Sequence, residues 1–328
     1  MLKHFLIFSS LTSLLIIKLN SQVVNAYIDP SDLDSNNSLN INDVNKHFEL
    51  LFLNQNTAGD INEDGAVNLV DSVILLNSIL EPPSKAKIPL ENNDSKFKLV
   101  FSEDFNKNVV IGSFPQSVSN KWKAYPYPWQ DTSKKGFYYP EKVVSFKDGV
   151  MNMFIHSEVI NGVNKHLVAA PQPKLNTGIG NIGDSLMYGK IIVRFRSDPL
   201  PLYKTAWLLW PDSNRWPKDG EIDFPEGNLD SNINAFMHKQ NAVSGSDQAA
   251  FGTQTKYNDW HTAIIEWLPN KCTFTLDGVL IGTSTDRVPS TPMHYVLQTE
   301  TALESTHPDY NTQGNVQIDW LVIYSYVN

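Results

Sequence analysis

Between Leu99 and Tyr324 the apolar residues recur at every second position or in short β-branched runs, and nowhere do they sustain a long helical period. The runs are Leu99-Val-Phe101, Val143-Val144, Val150 to Ile155, Lys190 to Arg196, Thr262 to Trp267, Cys272 to Leu276 and Val316 to Tyr324. Successive strand side chains point to opposite faces, so alternation of this kind gives each strand one face to bury. Leu268-Pro269-Asn270 joins two runs, and Asp277-Gly278 turns the chain into Val279-Leu-Ile-Gly, the punctuation of an antiparallel meander. Roughly 230 residues of strands and turns, with no long helix to cover a sheet, predict two antiparallel sheets packed face to face.

The whole chain has 328 residues, enough for a second unit. Its formal charge of -9 lies unevenly: residues 27 to 82 hold ten Asp or Glu against one Lys, and the remainder is balanced. An acidic segment attracts divalent cations, and no basic block or aromatic-basic patch points to nucleic acid. Lys3, the apolar run Phe5 to Ile17 and the small-residue end of Val24-Asn25-Ala26 read as a secretory signal over 1–26, too short to favour a membrane span. The expected product is secreted and extracellular. Cys272, the only cysteine, sits in an alternating strand and is expected to be a buried, inert thiol.

Two twelve-residue stretches in the acidic segment repeat one pattern. The first places Asp32, Asp34, Asn36, Asn40 and Asp43 at positions 1, 3, 5, 9 and 12; the second places Asp60, Asn62, Asp64, Asn68 and Asp71 there. This is calcium-loop spacing, completed by the position-7 carbonyls of Ser38 and Ala66. Gly65 supplies the sharp turn in the second loop; Asn37 stands in its place in the first. An apolar helical pattern follows each loop, with Val44, Phe48, Leu51 and Phe52 in one and Val73, Leu76, Ile79 and Leu80 in the other. The duplicated loop-helix unit over 27–82 resembles a type I dockerin, a small α-helical module with two calcium loops. That resemblance implies a cohesin domain on a scaffold protein as partner. Pro-rich residues 83–97 read as a linker to a domain over 98–328.

The chemistry is concentrated in Trp216-Pro-Lys-Asp-Gly220-Glu221-Ile-Asp223-Phe-Pro-Glu226, preceded by Trp207-Leu-Leu-Trp210. In a regular strand Glu221 and Asp223 share a face, and Glu226 joins them only if one extra residue is inserted. A β-bulge at Phe224-Pro225 provides it, at a position where proline's missing donor is tolerable. Two carboxyls converging on one groove suit glycoside cleavage by double displacement. The alternative is a row of acids on a solvated sheet face.

Gly-Glu-Ile-Asp-x-x-Glu after a Trp-Pro turn resembles the signature of glycoside hydrolase family 16. Tyr188 to Ser197, Trp260 to Trp267, Asp277-Gly278 and Val316 to Tyr324 are similar to the strands and hairpin around it in that family. The resemblance implies an all-β, concanavalin A-like sandwich (jelly roll), a polysaccharide substrate and retaining chemistry without a catalytic cofactor. It makes Glu221 the nucleophile, Glu226 the acid/base and Asp223 the residue tuning charge between them. Nearby negative charge is expected to help Glu226 hold its proton.

The bulged spacing resembles the laminarinase, agarase and carrageenase branches, and β-1,3- or mixed β-1,3/1,4-glucan is the expected substrate. A galactan hydrolase, a transglycosylase and a non-catalytic glycan binder of the same fold are the competing readings. Trp210 and Trp216 are candidate sugar platforms, with Trp207 and Trp267 as core. His238 and Gln298 are candidate groove residues. The family resemblance also implies one structural calcium on the opposite face, at Asp319 and the carbonyl of Gly149.

Overall fold

The computed structural model describes residue 33, residues 41–53, 67–69, 71–72 and 95–327. The signal over 1–26, the loop ligands Asp32, Asp34, Asn36, Ser38, Asn40, Asp60, Asn62, Asp64 and Ala66, and most of the linker lie outside these residues.

In the acidic segment Ile41–Leu53 is a helix. Its buried face carries Asp43, Val44 and His47; Val44 is buried as expected, whereas Phe48 is 42% exposed. His47 Nδ1 and Ser72 Oγ share a buried 2.9 Å hydrogen bond that ties the first repeat to the second. The position-12 carboxylates are wholly buried. Asp43 accepts the Leu33 N–H and Asp71 the Asn68 N–H, each at 2.8 Å, so both fold back onto their own loops.

The larger unit is a sandwich. Its five-stranded sheet runs Gln248–Lys256, Asn232–His238, Glu221–Asn228, Tyr203–Pro211, Met293–Thr301, each pair antiparallel. The ten-stranded sheet is built along Val279–Ser284, Lys271–Leu276, His261–Leu268, Gly189–Ser197, Gly314–Tyr326 and Val150–Ile160. Phe97–Glu103 pairs along Gly314–Tyr326, with Phe97 opposite Tyr326, so the first strand starts one residue inside the stretch read as linker. Val143-Val144 is split: a helical turn, Pro140–Val143, with proline at its start where no N–H is needed, leads into the strand Val144–Lys147.

Alternation along the strands is what fills the space between the sheets. In His261–Leu268 every second residue is buried, and in Tyr203–Pro211 the wholly buried Trp207 points inward. Phe195 of the large sheet meets Trp207 of the small one edge-on at 5.2 Å, and Phe274 meets Phe224 at 5.7 Å. Such pairs hold the sheets by buried area and by edge-to-face geometry. Trp267 is also wholly buried, its Nε1–H donating to the Pro289 carbonyl. Cys272 is buried in the same core, and burial pushes its thiol pKa far up, which leaves it inert. Among the described residues no helix is long and apolar enough to cross a membrane.

Truncating Trp207 to alanine removes an indole from this core and is expected to cost about 3–5 kcal/mol. Urea unfolding should show the lost midpoint at an unchanged slope, and Trp210→Ala, on the other face of the same strand, should cost much less.

Candidate active site

The acidic strand Glu221–Asn228 takes three steps from Asp223 to Glu226 where each neighbouring strand takes two. Asp223 pairs with Phe236 and Leu208, and Glu226 with Asn234 and Ala206. That is the extra residue of a bulge. Phe224 takes the core side with Ile222, wholly buried, and the extra residue returns Glu226 to the face that carries Glu221 and Asp223. Directly paired residues share a face, so Lys204, Ala206, Leu208 and Trp210 lie on it as well. Gln298, paired with Ala206, and Glu300, paired with Lys204, complete the row.

Burial, followed by repulsion from Glu221 and Glu226, holds the Asp223 carboxyl well above the ordinary carboxylate range. Glu221 is pushed up to about 7 by burial, and a hydrogen bond donated by Asp223 pulls the other way. Both carboxyls of the pair are thus held up by burial and by each other's charge, Asp223 most strongly. His238 Nδ1–H donates to the Gly245 carbonyl at 2.7 Å, which leaves the Nε2 lone pair facing Asp223 Oδ2 at 3.6 Å and Glu221 Oε2 at 3.7 Å. Burial lowers the His238 pKa and so disfavours the charged ring beside the acids. Glu221, Asp223 and His238 each offer a ligand atom within 4.8 Å of the others, a grouping that could also grip a small cation.

Two tryptophans close one end. Trp210 and Trp216 lie nearly parallel, 15° apart with centroids at 6.4 Å, and Trp216 is 42% exposed. Trp210 Nε1 donates to Asn214 Oδ1. A Cβ on Gly245 would stand 2.3 Å from the Trp216 ring, so only glycine lets this loop lie against the indole while its carbonyl holds His238.

Lys204, Glu300, Tyr125 and Trp129 were not anticipated. Lys204 Nζ is 2.7 Å from Glu226 Oε1, so Glu226 faces an ammonium as well as the two acids considered from the sequence. Burial opposes the charge on Lys204, but Glu226, Glu300 and Asp223 outweigh it and its pKa is raised. Glu300, 2% exposed, accepts from the Thr132 N–H and hydroxyl and from Tyr138. The Tyr125 hydroxyl is pushed up to about 12 by burial, then by Glu300 and Glu221, and its ring lies 5.6 Å from Trp129, which is 57% exposed. The available signal for Lys204 was parity: it is an even number of residues from Trp210 along one strand.

Asp319 and Gly149 lie away from this face. Asp319 is wholly buried in the large sheet, where one oxygen accepts from the Arg194 guanidinium and Oδ1 has no hydrogen-bond partner among the described residues. Burial pushes its carboxyl up to about 7 against the pull of Arg194.

A family model described as Glycosyl hydrolases family 16 matches residues 146–322. No curated protein matches the chain by sequence. Among solved structures, the laminarinase from Rhodothermus marinus is 18% identical with a TM-score of 0.58, covering 71% of this chain and 98% of that one. The endo-β-1,3-glucanase from Pyrococcus furiosus is 16% identical with a TM-score of 0.58, covering 74% and 100%. The catalytic domain of an endo-1,3-β-glucanase (laminarinase) from Thermotoga petrophila is 19% identical with a TM-score of 0.55, covering 71% and 99%. At these identities the likeness establishes the fold.

A buried acid whose folded pKa is raised adds no penalty below its unfolded value, and stability is lost as pH rises toward the folded value of about 7. Glu221→Gln removes that penalty. Urea unfolding should show a gain on the order of 2 kcal/mol at about pH 8 and almost none at about pH 4.

Proposed function

The chain belongs to glycosyl hydrolase family 16, and on that premise we propose that it is a secreted, retaining endo-glycosidase that hydrolyses β-1,3- or mixed β-1,3/1,4-glucan. The observation that carries this reading is the bulge that returns Glu226 to the face of Glu221. The preference for β-1,3-glucan draws support from the laminarinase fold shared with the three solved structures.

In the proposed first step Glu226 gives its proton to the glycosidic oxygen while a Glu221 oxygen attacks the anomeric carbon. The carbon–oxygen bond to the leaving sugar breaks and an ester to Glu221 forms. In the second step Glu226 takes a proton from water, whose oxygen displaces Glu221, so two inversions leave the anomeric configuration unchanged. The Asp223 proton stabilises the charged nucleophile before attack and the departing carboxylate after it. His238, its charged form disfavoured by burial, sits beside the pair. Trp216, paired with Trp210, offers an exposed indole for a sugar ring, and Gln298 lies in the row of Glu226, within the groove.

The acidic segment is proposed to tether the enzyme to a cohesin-bearing scaffold through two calcium ions. The buried Asp43 and Asp71, folded onto their own loops, are consistent with position-12 ligands, and the His47–Ser72 bond with a paired repeat. When bound, calcium would order the loops and add no step to the chemistry. A third, structural ion is proposed at Asp319 with the Gly149 carbonyl. The unpartnered Asp319 Oδ1 fits such an ion, while Arg194 already balances part of the charge.

On laminarin or lichenan the protein should release short oligosaccharides with the β-anomer formed first, as read by proton NMR. Glu221→Gln should lower kcat by at least about a thousandfold. Retained glucan binding with no turnover on laminarin, lichenan, agarose or xyloglucan would instead identify a glycan-binding protein. Trp216→Ala should raise KM roughly tenfold with kcat little changed, the loss of about 1.4 kcal/mol of stacking. Binding to an immobilised cohesin should disappear on chelation of calcium while hydrolysis persists.

A further inference from the structure

A lysine that is 8% exposed and in contact with a carboxylate of the groove needs an explanation, because an ammonium favours the charged form of its neighbour and Glu226 must carry a proton in the first step. Lys204 does not face Glu226 alone. Glu300 is its direct partner on the next strand and is fixed from behind by Thr132 and Tyr138. The ammonium thus bonds to the carboxyl that must gain and lose a proton, while a second acidic residue, Glu300, stands in register with it on the next strand and favours its charge. When Glu226 is protonated, the charge of Glu300 still acts on the buried Lys204 ammonium from the next strand.

We infer that Lys204 is a positioning residue that fixes the Glu226 carboxyl in the groove and, with Glu300 as its counter-charge, sets the pH above which the enzyme loses its proton donor. The inference rests on Glu226 being the acid/base. The other charged or titratable groups facing Glu226 are Glu221 and Asp223 on its own strand, His238 on the strand beyond, and the Tyr257 hydroxyl, which is bonded to Thr205. Among the described residues Lys204 is the cation in hydrogen-bond contact with Glu226, while burial disfavours the charged form of His238. Removing Lys204 and removing Glu300 should therefore move the same limb of the pH profile in opposite directions, which a loss of packing would not do.

The experiment is the pH dependence of kcat/KM on laminarin for the full chain and for Lys204→Met, Lys204→Arg, Glu300→Gln and Glu226→Gln. Lys204→Met should move the alkaline limb up by about one unit and lower kcat with little change in KM; Glu300→Gln should move the limb down; Lys204→Arg should keep it near the parent's position. Limbs superimposed on the parent's, or moved in the same direction by Lys204→Met and Glu300→Gln, would overturn the inference. Should Lys204→Met not fold, the Glu300→Gln shift decides alone. Glu226→Gln separates the two levels: parent-like activity there sinks the acid/base reading itself, whereas an inactive Glu226→Gln with unmoved limbs in the other variants sinks only the role of Lys204.

Discussion

One extra residue in the strand Glu221–Asn228 is the feature on which the site depends. Without it, period-2 geometry would turn Glu226 into the core and leave Pro225 in its place on the groove. Beside the bulge Phe224 keeps the core-facing parity of Ile222 and is wholly buried against Phe274 of the opposite sheet. Burying a ring of that size is worth about 2–3 kcal/mol, which anchors this stretch of the strand to the core. The core therefore anchors the chemistry directly, since the residue between the two groove acids is also a bridge between the sheets.

The electrostatic arrangement follows from crowding Glu221, Asp223, Glu226 and Glu300 onto one partly dry face. They cannot all be charged there at no cost, so the site answers with a strongly raised Asp223 carboxyl, one ammonium on Lys204, and hydrogen-bond donors around Glu300. The His238 ring is aimed by a backbone carbonyl, and burial disfavours its charged form. The same desolvation that makes these groups reactive works against the folded state as pH rises, a trade of stability for function.

How much could be read in advance differs by residue. The alternating runs around Ile191, Ile265, Phe274 and Ile318 announced their strands, because side-chain parity is local and each strand had one face to bury. Glu221, Asp223 and Glu226 were legible for the same reason: Pro225 and the odd spacing marked the bulge. Phe48 and Val143 departed from expectation where a neighbouring polar contact or a proline decided the local path. Phe48 gives its place on the buried face to His47, which bonds to Ser72, and a helix formed by Pro140 takes Val143.

Lys204, Glu300, Tyr125 and Trp129 belong to the other category. They come from distant parts of the chain and meet the acids only because Tyr203–Pro211 and Met293–Thr301 lie side by side in register, with Lys204 opposite Glu300. Strand order and register are set by long-range packing of the two sheets, to which no local pattern gives access. By itself the sequence marked the strands that carry alternating runs, the face each of their side chains takes, and that three acids can share one face. The tertiary structure decided which cation, which fixed anion and which aromatic rings stand around them, because partners across a sheet are chosen by register and the burial that enforces it.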